Sequence, residues 1–156
     1  MKNKLKNYLK EIFSFLVMLV IISNAISYYK STNINKIKFD IENISLNKKP
    51  IIVHFWATWC PICKIEAPNI QQLSNKYNVV TIAVNSGDDI KINNYLKKNN
   101  LTFKVINDPN SIYANKFNVK VFPTTLIYDK NKNLIFSEVG YTSTLGLQLR
   151  MWWAGL

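Results

Sequence analysis

Short apolar runs, bounded by polar turns, recur through residues 50–156 and predict a sheet. Most of these runs are rich in β-branched residues and lack the spacing of a helix face, which is typical of buried strands. The last two runs are separated only by the polar residues 129–133, which predicts an antiparallel hairpin. The strands are expected at Ile51–Trp56, Val79–Val84, Phe103–Ile106, Thr124–Tyr128 and Leu134–Glu138.

Helices are predicted between these strands. After Cys60, four apolar residues recur at the spacing of one helix face. Pro61 suits the first turn of that helix, where its missing N–H would have no partner, and Pro68 is expected to kink the helix further on. Further helices are expected at 90–99, 111–117 and 143–153. The alternation of strands and helices predicts an α/β sheet with helices on both faces and the hairpin at one edge.

The N-terminal 29 residues have a different pattern. Residues 1–11 contain four lysines, and residues 12–29 are uncharged and largely apolar, near the lower length limit for a membrane-spanning helix. Lysines that flank a membrane span stay on its cytoplasmic side. The pattern therefore predicts a cytoplasmic basic tail over 1–11, a transmembrane signal-anchor over 12–29, a linker over 30–49 and an exported domain over 50–156. Cleavage of a signal peptide near Ala25 is the alternative.

The formal net charge of +11 does not by itself indicate a nucleic-acid partner. Residues 31–156 contain 15 Lys and Arg against 8 Asp and Glu, scattered without a block of like charges. They contain no aromatic-rich basic motif of an RNA-binding type. We therefore expect a solvated basic surface and no nucleic-acid partner.

Cys60 and Cys63 are the only cysteines and are spaced C-x-x-C, between a predicted strand and a predicted helix. A cysteine at a helix N-terminus faces unpaired N–H groups and the positive end of the helix dipole, which lowers its pKa and favours the reactive thiolate. We therefore expect Cys60 to attack a disulfide and Cys63, one turn later, to resolve the mixed disulfide. Two cysteines and one histidine are too few ligands for a zinc site, and neither a metal nor another cofactor is expected. Cu(I) binding by the two thiolates is the alternative.

The segment Phe55–Pro68, reading FWATWCPICKIEAP, resembles the thioredoxin superfamily and, more narrowly, the membrane-anchored TlpA-like thiol–disulfide oxidoreductases of bacteria. Within these, the chain looks most like the branch that contains the suppressor-of-copper-sensitivity protein D. The resemblance covers about residues 50–153. Its supporting stretches are Val84–Asp89, Val105–Pro109, Val121–Thr124 and Gly140–Trp153.

This resemblance implies a thioredoxin-like fold with a central αβ insert at about residues 88–106. It also implies that Pro123 follows a cis peptide bond and packs opposite the two cysteines, with Trp59, Phe122 and Thr124 bordering a groove for protein substrates. The implied activity is disulfide exchange with protein thiols in the periplasm, at the inner membrane, with a membrane electron donor or acceptor that recycles the enzyme. We expect reduction of substrates, and oxidation or isomerisation remains the alternative because the motif does not give the direction.

Glu66 and His54 lie near the cysteines in sequence. Glu66 follows Cys63 by three residues, where relatives of the resembled branch often carry a glutamate, and a carboxylate there could accept the proton that Cys63 loses. An ordinary exposed helix glutamate is the alternative. His54 precedes Cys60 by six residues, where thioredoxins proper keep a buried acid, so it departs from the pattern. We expect His54 to be a core residue without a redox role and Trp56 to be scaffold, although His54 could tune Cys63.

Overall fold

A computed structural model describes residues 49–155 continuously, together with Ile34 and residues 8, 10–15, 17, 18, 21, 22 and 25. The predicted basic tail 1–11 and linker 30–49 lie largely outside these residues, and about half of the predicted signal-anchor 12–29 lies outside them. Within the part of the chain that is described, no helix has the length and apolar character needed to cross a bilayer.

Five strands and four helices follow one another from residue 51 to residue 154. The order is the one that the hydrophobic pattern predicts, with end residues that differ by one or two positions. The elements are β1 Ile51–Trp56, α1 Pro61–Ser74, β2 Asn78–Val84, α2 Asp89–Lys98, β3 Lys104–Asp108, α3 Ile112–Lys116, β4 Thr124–Tyr128, β5 Leu134–Val139 and α4 Thr144–Ala154.

The strands form one mixed sheet in the order β3-β2-β1-β4-β5. β1, β2 and β3 are parallel, while β4 is antiparallel to β1 and β5 is antiparallel to β4. The predicted edge hairpin is therefore confirmed. β1 lies at the centre, and all six of its residues are buried, because helices cover the sheet on both faces.

The two faces of the sheet carry separate apolar clusters. Ile52 and Trp56 of β1 face one cluster, to which α1, α2 and α4 contribute. Val53 and Phe55 face the other, to which α3 contributes. This alternation follows from the two-residue period of a strand. The predicted helices on both faces are confirmed.

An αβ unit made of α2 and β3 lies between β2 and α3, where the sequence predicts an insert over 88–106. α2 begins after Asp88, whose carboxylate Oδ1 accepts the Lys91 N–H at 2.8 Å as an N-cap. β3 pairs in parallel with β2 and forms one edge of the sheet. The central sheet positions are thus left to β2, β1 and β4.

The chain places two loops at the same end of the sheet. β1 ends at Trp56 and leads into the cysteine loop, and β4, which runs the opposite way, begins at Thr124 just after Pro123. Thr124 pairs with Phe55 in the register of the two strands. The cysteines and the segment around Pro123 are therefore neighbours in space although 60 residues separate Cys63 from Pro123 in sequence.

Candidate active site

Cys60 and Cys63 form a disulfide whose Cα atoms are 5.3 Å apart. Cys60 has an extended backbone and is the N-cap of α1, so it lies just outside the helix, and Pro61 takes the first helical position as predicted. The Cys60 Sγ accepts the N–H of Cys63 at 3.1 Å. The sulfur thus occupies the place where a capping oxygen usually stands.

The N-terminus of α1 is electrostatically suited to a thiolate. Its first N–H groups have no partner within the helix, and the helix dipole places partial positive charge there. The first turn, Pro61–Lys64, carries no acidic side chain to oppose this. A helix N-terminus of this kind is a favourable place for a thiolate.

The loop before the cysteines is held by residues that follow β2. The N–H of Thr58 donates to Ser86 Oγ at 3.0 Å, and that hydroxyl donates in turn to Val84 O at 3.1 Å. The indole N–H of Trp59 donates to the carbonyl oxygen of Asn85 at 3.1 Å. Asn85 has φ 47°, a left-handed conformation that asparagine tolerates better than most residues. Asn85 and Ser86 belong to the stretch Val84–Asp89 that supports the resemblance, and a turn after β2 is expected there, but their contacts with the cysteine loop are not evident from the sequence.

Trp59 and Phe122 come together beside the disulfide loop. Their rings meet edge to face with centroids 5.9 Å apart, a favourable geometry for two aromatic rings. Trp59 is 60% exposed, while Phe122 is half-buried. These two rings join the cysteine loop to the segment that precedes β4.

The peptide bond between Phe122 and Pro123 is cis, as the resemblance implied. Pro123 is buried, and its carbonyl oxygen accepts the N–H of Gly140 at 2.8 Å. Thr124 is also buried, and its hydroxyl donates to Val121 O at 2.7 Å. The side chain of Thr124 therefore stabilises this loop from its buried side. Of Phe122, Pro123 and Thr124, only Phe122 has a side chain that is partly exposed to solvent.

Glu66 is fully buried on α1, so the alternative of an exposed helix glutamate is wrong. Its Oε1 accepts the N–H of Thr142 at 3.0 Å, and its Oε2 has no hydrogen-bond partner among the described residues. Burial raises the pKa of Glu66 from 4.5 to about 7, against a smaller lowering by the bond from Thr142. Residues three apart on a helix lie on the same side, so Glu66 follows Cys63 along one face of α1.

His54 lies in the middle of β1 and is also buried. Its Nδ1 is 2.9 Å from the hydroxyl of Thr125, its registered partner on β4. Burial lowers the pKa of His54 from 6.5 to about 3, so the imidazole is neutral near neutral pH. This agrees with the prediction of a core histidine.

Trp56 is likewise buried, and its indole N–H donates to Thr81 Oγ1 at 3.0 Å. Thr81 passes a hydrogen bond on to Lys104 O at 3.0 Å. Trp56 therefore ties β1 to β2 and, through Thr81, to β3, which fits the expected scaffold role. The threonines that satisfy Trp56 and His54 are residues that sequence reasoning missed, because only the strand register shows which threonines they are.

Within the described part of the chain, no group of three or more His, Cys, Asp or Glu side chains is placed to hold a metal ion. The chemistry that the arrangement can support is thiol–disulfide exchange at Cys60 and Cys63, next to the exposed ring of Trp59 and the buried carboxyl of Glu66.

Comparison with known proteins agrees with this chemistry. The thioredoxin-like protein of Haemophilus influenzae is 32% identical over 97% of this chain and 97% of its own length. The thiol-disulfide oxidoreductase ResA of Geobacillus kaustophilus is 33% identical over 53% of this chain, a match that spans 50% of that relative. A secreted Mycobacterium tuberculosis disulfide oxidoreductase, homologous to E. coli DsbE, superposes with a TM-score of 0.59 at 28% identity, covering 68% of this chain and 82% of that chain.

Fold, disulfide and relatives together define a thioredoxin-like disulfide oxidoreductase, which confirms the predicted enzyme class. The Redoxin family model matches residues 26–146, which is more than half of the chain. The chain belongs to the Redoxin family.

Proposed function

We propose that the protein reduces disulfides of protein substrates outside the cytoplasm, with Cys60 as the attacking thiol and Cys63 as the resolving thiol. The observation that carries this assignment is the position of Cys60 Sγ at the N-cap of α1, where it accepts the Cys63 N–H. Cys63 lies within the helix and lacks this position, so the helix terminus favours the thiolate of Cys60 over that of Cys63.

The reaction begins with the reduced pair. The Cys60 thiolate attacks one sulfur of a substrate disulfide, the substrate's S–S bond breaks, and its other sulfur leaves as a thiolate. The Cys63 thiolate then attacks Cys60 Sγ, which releases the second substrate sulfur and forms the Cys60–Cys63 disulfide. Two electrons pass to the substrate, and a thiol donor must reduce the enzyme before the next cycle.

Glu66 is proposed to accept the proton that Cys63 loses before it attacks. Three observations support this role: the carboxyl is buried, its Oε2 has no partner among the described residues, and its pKa is about 7. An acid with a pKa near the working pH can both take up and release a proton. Its bond from Thr142 holds the side chain in place.

The groove for the substrate is proposed to lie between Trp59 and Phe122, with Pro123 and Thr124 behind it. The exposed Trp59 ring is fixed by Asn85 O and by contact with Phe122, so it offers a rigid apolar surface next to the disulfide. The backbone just before Pro123 would pair with an extended substrate segment, a form of strand addition.

We further propose that residues 12–29 tether the domain to the bacterial inner membrane, with the domain in the periplasm and a membrane partner supplying electrons. The described residues between 8 and 25 are helical, and the apolar ones among them expose large side chains. The M. tuberculosis neighbour is a secreted protein. We also propose that the protein belongs to the branch of TlpA-like oxidoreductases that contains the suppressor-of-copper-sensitivity protein D.

The order of the two thiols is tested with Cys60→Ser and Cys63→Ala in the full chain, in detergent micelles, with insulin as the disulfide substrate. Cys63→Ala should accumulate a covalent adduct with insulin that reductant dissolves, while Cys60→Ser should form no adduct and reduce no insulin. The double variant is the control for non-specific labelling. An adduct formed through Cys63 in the Cys60→Ser variant would reverse the assignment.

A further inference from the structure

The last helix, α4, carries an apolar surface that the described residues leave uncovered. Leu145, Leu149, Trp152 and Trp153 are 66%, 59%, 63% and 61% exposed. At 3.6 residues per turn they occupy an arc of roughly 100°. The opposite side of α4 is buried in the core through Leu147, Met151 and Ala154. We call the four exposed residues the apolar face of α4.

The C-terminal end of α4 lies beside the point where the N-terminal segment enters the domain. A Cβ placed on Gly155 would be 3.7 Å from Pro50 Cγ. Pro50, Lys49, Lys76 and Trp152 share the lining of a surface recess of about 530 Å³. Both lysines are exposed. The end of the apolar face that carries the tryptophans is therefore next to residue 49 and is bordered by positive charge.

We propose that the apolar face of α4 docks onto the surface of a bilayer with anionic headgroups. The proposal rests on the proposed tether, since residues 12–29 would hold Pro50 near that bilayer. Tryptophan rings are amphipathic and collect at the boundary between lipid tails and water. A helix with one apolar face lies in this boundary, and lysines beside it attract anionic lipid. Lys49 and Lys76 would meet the headgroups while Trp152 and Trp153 enter the boundary.

A second copy of the chain fits this surface less well than a bilayer does. The four side chains expose on the order of a few hundred Å², whereas each partner in a stable protein interface buries about 800 Å². A tethered surface does not need such an area, because the tether already keeps the bilayer at high local concentration.

Docking would orient the active site. β1 begins at Ile51, beside the tether entry, and ends at Trp56, beside the cysteine loop. Six strand residues span about 20 Å, so the disulfide lies at the other end of the sheet from Pro50. The docked domain would therefore hold Cys60 and Cys63 about one strand length from the lipid surface, on the periplasmic side.

The test uses the full chain in phosphatidylcholine vesicles whose acyl chains carry bromine, which quenches tryptophan fluorescence at short range, with and without phosphatidylglycerol. Two of the four tryptophans lie in the apolar face, so about half of the emission should be quenchable. W152S/W153S should lose this quenching and still reduce insulin. Ile112→Ser is the matched control, because Ile112 is 66% exposed on α3, which packs on the other face of the sheet.

Flotation of the vesicles is measured in parallel, so that tether and docking are judged separately. Flotation of both the wild-type chain and W152S/W153S, with the quenching lost only in the variant, supports the proposal. Flotation with equal quenching in the wild type and the variant overturns docking and leaves the tether standing. If no bromine quenching is seen and the chain instead associates with itself at higher concentration, and W152S/W153S abolishes that association, the apolar face of α4 binds a second copy. Absence of flotation and of quenching overturns the tether and the docking together. Equal quenching with and without phosphatidylglycerol overturns the role given to Lys49 and Lys76.

Discussion

Replacing Glu66 by glutamine should remove a pH-dependent loss of stability from the oxidised protein. Burial raises the pKa of Glu66 from 4.5 to about 7, so between these two values the folded chain holds a proton that the unfolded chain has released. The folded state is then favoured less and less as the pH rises. The stability is fully present below about 4.5 and is lost progressively as the pH rises to about 7.

The size of this loss follows from the displaced ionisation. A tenfold change in an ionisation constant corresponds to about 1.4 kcal/mol. A Glu66 pKa near 7 in the folded protein therefore lowers the free energy of unfolding by about 3 kcal/mol at pH 8 relative to pH 4. Glutamine has nearly the same shape, its amide oxygen can still accept the Thr142 N–H, and it does not ionise, so the variant should lack this loss.

The assay is urea unfolding of the full chain in detergent micelles, followed by near-ultraviolet circular dichroism, at about pH 4 and about pH 8. All other titrating groups are common to both proteins, so the change with pH in the difference between them isolates Glu66. We expect the free energy of unfolding of Glu66→Gln, relative to that of the wild type, to rise by about 3 kcal/mol from pH 4 to pH 8. A difference that stays constant with pH would show that the pKa of the buried Glu66 carboxyl is not raised.

Three further predictions concern the surroundings of the disulfide. The ring protons of His54 should not titrate between pH 5 and pH 8 in NMR spectra, because burial lowers the pKa of His54 to about 3. The contribution of His54 to the stability of the fold should therefore fall as the pH drops below 6.5. An NMR titration midpoint near 6.5 would contradict the burial of His54. Thr125→Val should lower the free energy of unfolding by about 1–3 kcal/mol, measured by urea unfolding at pH 8, because it leaves His54 Nδ1 without the Thr125 hydroxyl; an unchanged midpoint would show that the bond is dispensable. Trp59→Ala should lower kcat/KM for insulin about tenfold, the value of a well-packed aromatic contact, with little effect on a small aromatic disulfide; equal losses on both substrates would place Trp59 outside the groove.

Much of the fold could be predicted because the strands that form its centre are continuous apolar runs. β1 and the β4–β5 hairpin are recognisable without tertiary information, and the helix after Cys60 is marked by Pro61 and by apolar spacing. The sequence predicts β3 at Phe103–Ile106, whereas the strand begins at Lys104 and ends at Asp108. Two polar residues at its end suggested a turn. In the structure Asn107 and Asp108 continue the strand, paired with β2. The Asn107 side-chain amide donates to Gly87 O at 3.1 Å, and Asp108 Oδ2 accepts the Ala114 N–H at 3.0 Å.

The site was predictable where the signal is local and obscure where it depends on contacts between distant parts of the chain. Cys60 and Cys63 were evident from their spacing and their place before a helix. The surroundings of Glu66 were not evident, because its hydrogen-bond partner Thr142 lies 76 residues away in sequence. His54 lies within an apolar run, which suggests burial, but its partner Thr125 is known only from the register of β1 and β4.

The most direct test of the proposed function is the reduction potential of the Cys60–Cys63 pair, measured on the full chain by equilibration with glutathione or dithiothreitol buffers. The potential, compared with that of the compartment, decides whether electrons flow to or from the substrate. For a reductase we expect a value near or below about −250 mV, and a value above about −150 mV would contradict this function and assign the pair to an oxidant.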